Sequence, residues 1–463
     1  MLTHRLACFL LLLTAAAAPW LCGARVSVPT VGGWLGGVLA LSFFLMLMAS
    51  LRERRWPSIS PWALGPVGFL LGCLGWWATQ PAPAFATHFA AEHWRFIRAQ
   101  LPRNLLEWPR EELLVFLAGA LLGFLAVVDL GRSARFRGLL AATLGLSGFV
   151  VAIWALGLRW LGWPAPTWIE VASGTERFNI AFFHHNAPGA ALNLAWPLLV
   201  FHPAWPPASR AGLIVRLALA SVVLLTVAAA LPLWHSESAP AIAAGLLLAG
   251  LAWPLATRLI LPSRALFFAL ICAGFFGLFA WQLAGVQRLR VTHPDGWVSA
   301  AQTAREAPVR DAAVQAAAEK RGDHLVSSSA PARPAAWITG LRMARDYPLI
   351  GLGPGAWLHG AVLYSNDPTV ATFYQLRQFA HHDLLQAAAE WGGLGAVAWL
   401  ALWTGAFWRA MHAGPDSLGP LLALIGLALL SLVHFPLQNP AIFLWSLLLL
   451  GLAWSCSETA TET

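Results

Sequence analysis

ELLVFLAGALLGFLAVVDLGRSARFR, residues 112–137, sets a long apolar run directly before three arginines. The run is about 20 residues long, enough for a helix to cross a hydrocarbon core of roughly 30 Å. Arg132, Arg135 and Arg137 then mark the inner side of the membrane, because short loops rich in arginine stay cytoplasmic. The same texture runs through the whole 463-residue chain, of which 58% is hydrophobic and 11% charged. Soluble domains carry roughly 25% charged residues, so a large soluble helical domain is excluded for want of polar surface.

Further apolar runs lie at about 6–22, 31–50, 59–79, 138–161, 187–202, 213–233, 239–257, 265–285, 391–408, 418–437 and 441–456. The expected fold class is all-α: a polytopic membrane protein with about 12 transmembrane helices and one large outer (periplasmic) loop. The run after Arg5 has the look of a signal peptide but reads as an uncleaved first helix, given the spans behind it. RERR, ending at Arg55, fixes a second inner loop, and both termini fall inside. The regions expected are N-terminal helices at 1–150, central helices at 151–285, the outer loop at 286–390 and C-terminal helices at 391–463. Within the loop, helices are expected at 309–321, at Trp337 to Tyr347 and at Tyr364 to Gln378, with a tight turn at GLGPG, 351–355. No internal repeat is visible, which counts against transporters built from duplicated halves.

The formal net charge is +8, and Lys320 is the only lysine. Arginine forks grip phosphate bidentately, although genomic composition alone can produce such a bias. The arginines are scattered among spans, so nucleic acid is not an expected partner, whereas membrane lipids are. Cys8, Cys22, Cys73, Cys272 and Cys456 lack metal-ligand spacing and read as small hydrophobes.

Chemistry-bearing residues gather on the outer side in four groups. Arg177, Asn179, His184, His185 and Asn186 form the first. Arg333, Arg342, Arg345 and Asp346 form the second, and His434, Gln438 and Asn439 the last. The third is FAHHDLLQAAAEWGGLG, 379–395. There His382, Gln386 and Glu390 share a helix face, Asp383 lies beside them, and His381 sits about 100° round. A lipid-linked diphosphate leaving group calls for fixed positive charge, and an acceptor hydroxyl calls for a base such as histidine. Simpler roles compete: arginines at membrane edges meet headgroups, and polar clusters often open helices. His381, His382 and Asp383 point in different directions on a helix, so no metal is expected.

RPAAW (333–337), MARDYPLIGLGPGAW (343–357) and AHHDLLQAAAEWGGLG (380–395) together resemble motifs of the O-antigen ligase/polymerase superfamily. FFHHNAPGAALNLAWPL (182–198) is similar to that family's Asn-bearing helix. The resemblance covers roughly residues 175–400. It implies a membrane glycosyltransferase of the bacterial inner membrane that takes an undecaprenyl-diphosphate-linked glycan as donor. The acceptor implied is lipid A core, another glycan or a protein, with no cofactor or nucleotide. By motif position the diphosphate-binding arginine falls on Arg333 and the acceptor-activating histidine on His381. Arg177, Asn186, Arg342, Arg345, His382, Asp383, Gln386 and Glu390 are the expected substrate-binding residues.

The chain departs from the family at two places. His382 stands where the family has asparagine, and Ser236-Glu237-Ser238 replaces a Ser-Arg at a hairpin tip. Arg177 is the candidate substitute for that missing arginine. The competing expectation is a non-catalytic transporter or scaffold of the same superfamily.

Overall fold

The computed structural model describes residues 2–22, 31–79, 110–161, 163, 186–202, 210–230, 242–243, 246–247, 333–364, 379–413 and 417–456. They are helical, without a strand among the described residues. The helices are α1 (Leu2–Cys22), α2 (Val31–Arg52), α3 (Pro61–Thr79), α4 (Arg110–Leu130), α5 (Ala134–Leu161), α6 (Asn186–Val200) and α7 (Arg210–Ala230). They continue with α8 (Arg333–Asp346), α9 (Trp357–Tyr364), α10 (Asp383–His412), α11 (Leu418–Val433) and α12 (Pro440–Ser455). Among the described residues five helices, α1 to α5, are long and apolar enough to cross a membrane. Shorter apolar helices lie at Ala187–Val200, Ala218–Ala230, Leu418–Leu432 and Pro440–Ser455. The expected spans at 239–257 and 265–285 lie wholly or mostly outside the described residues, as do the helices expected at 309–321 and after Tyr364.

The chain divides into two compact units, Met1–Ile260 with Gly395–Thr463, and Leu261–Leu394. In the first, long apolar helices pack through small residues, as helices in lipid do when no hydrophobic force drives them together. Gly36 of α2 and Gly119 of α4 meet backbone to backbone, and a Cβ on either would collide with the other helix. Gly148 of α5 takes Ala195 of α6, and Gly405 of α10 takes the ring of Trp454 from α12. Indole donors tie α12 to α1 and to α10: Trp445 Nε1 donates to the Ala15 carbonyl at 2.8 Å, and Trp454 Nε1 to the Leu402 carbonyl at 2.9 Å. α12 is buried along its whole length, while α2 and α3 expose leucine, phenylalanine and tryptophan outward, the pattern of a bundle facing hydrocarbon.

The α2–α3 and α4–α5 loops meet at Asp129, near the end of α4. Arg55 donates to both its oxygens at 3.0 and 3.1 Å, and the Ser58 N–H adds a third bond at 2.8 Å. Arg132 bonds the Ser58 hydroxyl. The carboxylate is fully buried and the guanidinium one-third exposed. A transporter reading wants ionisable groups near mid-membrane; Asp129 instead closes a loop junction.

Arg55→Ala leaves that carboxylate buried without its fork, a loss of about 3 kcal/mol. The expected result is a lower melting temperature for the purified variant in detergent, with Arg54→Ala, on an exposed side chain, near wild type.

Candidate active site

The second unit builds its core from α8, α9 and the start of α10. Ala336, Met343, Trp357, Ala361, Ala380 and Ala389 are buried together, with Leu352 and Tyr364 packed against them. Gly340 lets α8 lie on the Trp357 ring, and Gly360 of α9 receives Met343. The GLGPG turn is tight as expected: Gly351, Gly353 and Gly355 all have positive φ.

α10 is broken at Gly392, whose φ is 70° and ψ −178°. The break frees two carbonyls and two N–H groups from the helical ladder, and the turn after α8 takes all four. Leu352 N–H donates to the Ala389 carbonyl at 3.0 Å and Gly353 N–H to the Glu390 carbonyl at 2.8 Å. In return Gly393 N–H donates to the Pro348 carbonyl at 2.7 Å and Leu394 N–H to the Leu349 carbonyl at 3.2 Å. Gly351 and Gly392 face each other in this exchange, and a Cβ on either would strike the other segment's backbone. YPLIGLG and EWGGLG, two separate motifs in the sequence, are therefore one hydrogen-bonded clip.

The polar stripe on α10 faces inward onto the clip. Glu390 Oε1 accepts from the Trp357 N–H at 3.2 Å and from Gln386 Nε2 at 3.1 Å. Gln386, fully buried, accepts through Oε1 from the Ala380 N–H at 3.1 Å. His382 is the helix N-cap: its carbonyl accepts from the Gln386 N–H at 3.0 Å, and its Nδ1 accepts from the Leu385 N–H at 3.4 Å. An accepting Nδ1 leaves the proton on Nε2, so this is a neutral imidazole of fixed tautomer. Burial pushes its pKa down from 6.5 to about 4, with its own backbone hydrogen bond pulling the other way. The ring also stands edge-on to Trp337, 5.8 Å away.

An N-cap is where asparagine is most at home, since its side-chain oxygen accepts from the same N–H. The departure from the family pattern at 382 thus keeps the capping bond, with a ring nitrogen in place of an amide oxygen. His381 has a different environment. Its φ is 53°, a left-handed conformation that costs a residue with a Cβ about 1–3 kcal/mol. It is 1% exposed and held between Ala380, pinned by Gln386, and the cap at 382. Asp383, also buried, opens α10, where a carboxylate favours the positive helix end.

Arg333 starts α8 one turn before Trp337, so it shares the side of the helix that meets the His382 ring. Arg342 is half-buried and donates to the Tyr364 carbonyl at 3.2 Å, a cation at the end of α9. Arg345 is exposed and pairs with Asp346 at 3.1 Å. Arg177 lies outside the described residues, and Asn186 is the first residue of α6. Among the described residues, no group of three His, Cys, Asp or Glu side chains is placed to hold a metal ion. The roles of Trp337 and Trp357 were not visible in the sequence. Each closes a quoted motif, RPAAW and MARDYPLIGLGPGAW, but the motifs show neither the contact of Trp337 with His382 nor the bond from the Trp357 N–H to Glu390.

The described helices define a multi-pass membrane protein with a buried histidine-bearing module on its second unit. Residues 219–400 match the family model described as O-antigen ligase, a stretch that encloses that whole unit. The likeness to the O-antigen ligase superfamily rests on that segment. No curated protein matches the chain.

Two outcomes are expected from the clip. Gly351→Ala or Gly392→Ala forces a side chain into left-handed backbone against a neighbouring strand of chain, lowering stability by about 2 kcal/mol or more, read by thermal melting. Burial raises the Glu390 carboxyl from 4.5 to about 7, against the lowering pull of N–H groups on Gly355, Gln386 and Trp357. The folded value exceeds the unfolded one, so the unfolded chain ionises first and stability falls as pH rises from 4.5 to about 7. The lowered pKa of His382 pulls the other way below pH 6.5, so the comparison decides: between about pH 5 and about pH 8, wild type should lose melting temperature relative to Glu390→Gln.

Proposed function

We propose that this protein is a bacterial inner-membrane glycosyltransferase that moves or polymerises an undecaprenyl-diphosphate-linked glycan onto an acceptor hydroxyl outside the membrane. The observation that carries this reading is His381, buried at positive φ between two anchored residues and next to His382, whose ring meets Trp337 one turn along α8 from Arg333. It lies within the stretch matched to O-antigen ligase.

In this reading His381 takes the acceptor hydroxyl's proton as that oxygen attacks the anomeric carbon of the donor sugar. The bond from that carbon to the diphosphate breaks, and its electron pair leaves with the lipid diphosphate. Arg333 offers a bidentate fork to the oxygens on which negative charge grows. His382 contributes shape rather than basicity, because its Nδ1 lone pair is engaged by the Leu385 N–H. Gln386, Glu390 and Asp383 hold the wall behind the histidines. Arg345, exposed on α8, suits phosphate or sugar contacts, and Arg342 holds the end of α9 beside it. Arg177 and Asn186 are assigned to the same substrate on sequence grounds. The donor's own phosphate–sugar bond supplies the driving force.

The test is transfer by the purified protein in vesicles holding a polyprenyl-diphosphate glycan and an acceptor. Arg333→Lys should lower the rate at least about tenfold, since a point charge cannot reproduce the fork. Wild-type transfer in that variant would reduce Arg333 to a headgroup contact. Deleting the gene and running lipopolysaccharide on a gel identifies the acceptor. Core without O-chain indicates ligation and core with a single repeat indicates polymerisation. Unchanged bands move the acceptor to protein or overturn the enzyme reading in favour of transport.

A further inference from the structure

We propose that the α2–α3 and α4–α5 loops form one binding site for a bilayer phospholipid carrying two phosphates, of the diphosphatidylglycerol class. The loops are joined by the Arg55 fork on Asp129 and by the bond from Arg132 to Ser58. Their positions relative to each other are therefore set before any ligand arrives, which lowers the ordering cost of binding.

Charge is unevenly used at this junction. Arg55 also pairs with Glu53, at 3.2 Å, so one arginine engages both nearby carboxylates. Arg137 turns back onto the carbonyls of Gly131 and Arg132, at 2.8 and 3.2 Å, at the end of α4. Arg52, Arg54 and Arg135 are all exposed and have no ion pair among the described residues. One bidentate fork suffices for one phosphodiester. Arg54 lies in the α2–α3 loop, with Arg52 and Arg135 at the helix ends beside the two loops; three forks cover the two phosphodiesters of such a headgroup, whereas a single-phosphate lipid engages one.

Depth is set by aromatic rings. Trp56 is 83% exposed and Trp62 81% exposed, at the start of α3 beside the same loop. Exposed indoles settle at the headgroup level, and basic clusters between helix ends on the inner face attract anionic headgroups. The site is independent of the active-site reading.

The experiment is native mass spectrometry of the full-length protein in detergent with three lipids at equal total charge. These are diphosphatidylglycerol, phosphatidylglycerol and a polyprenyl diphosphate. Diphosphatidylglycerol should be retained at least about tenfold better than phosphatidylglycerol. That preference should vanish in Arg52→Gln/Arg54→Gln/Arg135→Gln, whose lipid-free melting temperature should match wild type. If the triple variant does not fold, Arg135→Gln alone should show a reduced preference. Equal retention of the two phospholipids, a preference for the polyprenyl diphosphate or an undiminished preference in the variants would overturn the proposal.

Discussion

Everything in the histidine-bearing unit depends on four backbone hydrogen bonds exchanged across the break at Gly392. An unbroken helix there would use the Ala389 and Glu390 carbonyls internally and leave the turn at 348–353 with nothing to hold. The exchange satisfies buried peptide groups from both segments at once, as burial requires. It also explains the glycines. Gly351 and Gly392 have positive φ and face each other too closely for any Cβ. With this clip closed, Glu390 reaches the Trp357 N–H, Gln386 reaches Ala380, and residue 381 is fixed from both sides.

Much of the fold was legible in the sequence because lipid imposes simple rules. Apolar length and arginine position placed α2 and α3 within one or two residues of their ends, Val31–Arg52 and Pro61–Thr79. α10 was less legible: its apolar run suggests a start near 391, whereas the helix begins at Asp383 and is broken inside. Hydropathy cannot see a polar first turn that is buried by protein rather than by lipid. The turn at GLGPG was legible from its glycines, but its partner was not. Pairing between residues forty apart leaves no periodic trace, and two glycine-rich stretches read separately as two ordinary turns.

The stripe of His382, Gln386 and Glu390 was legible as a shared helix face, but its direction was not. Spacing alone fits a substrate-facing surface as well as an internal brace. Burial and partners give each of the three an internal bond, and they give His382 a capping role that any good acceptor at that position fills. The departure from the family's asparagine thus bears on helix capping. In the proposed function the base is then His381, whose buried backbone is held at a positive φ.

The most direct measurement compares His381→Asn with His382→Asn, both purified and assayed for glycan transfer from a polyprenyl diphosphate donor. Asparagine at 382 restores the capping acceptor, so transfer should stay within about threefold of wild type. Asparagine at 381 tolerates the left-handed backbone but removes the base, so transfer should fall about a hundredfold or more. Transfer lost in His382→Asn and kept in His381→Asn would contradict the account.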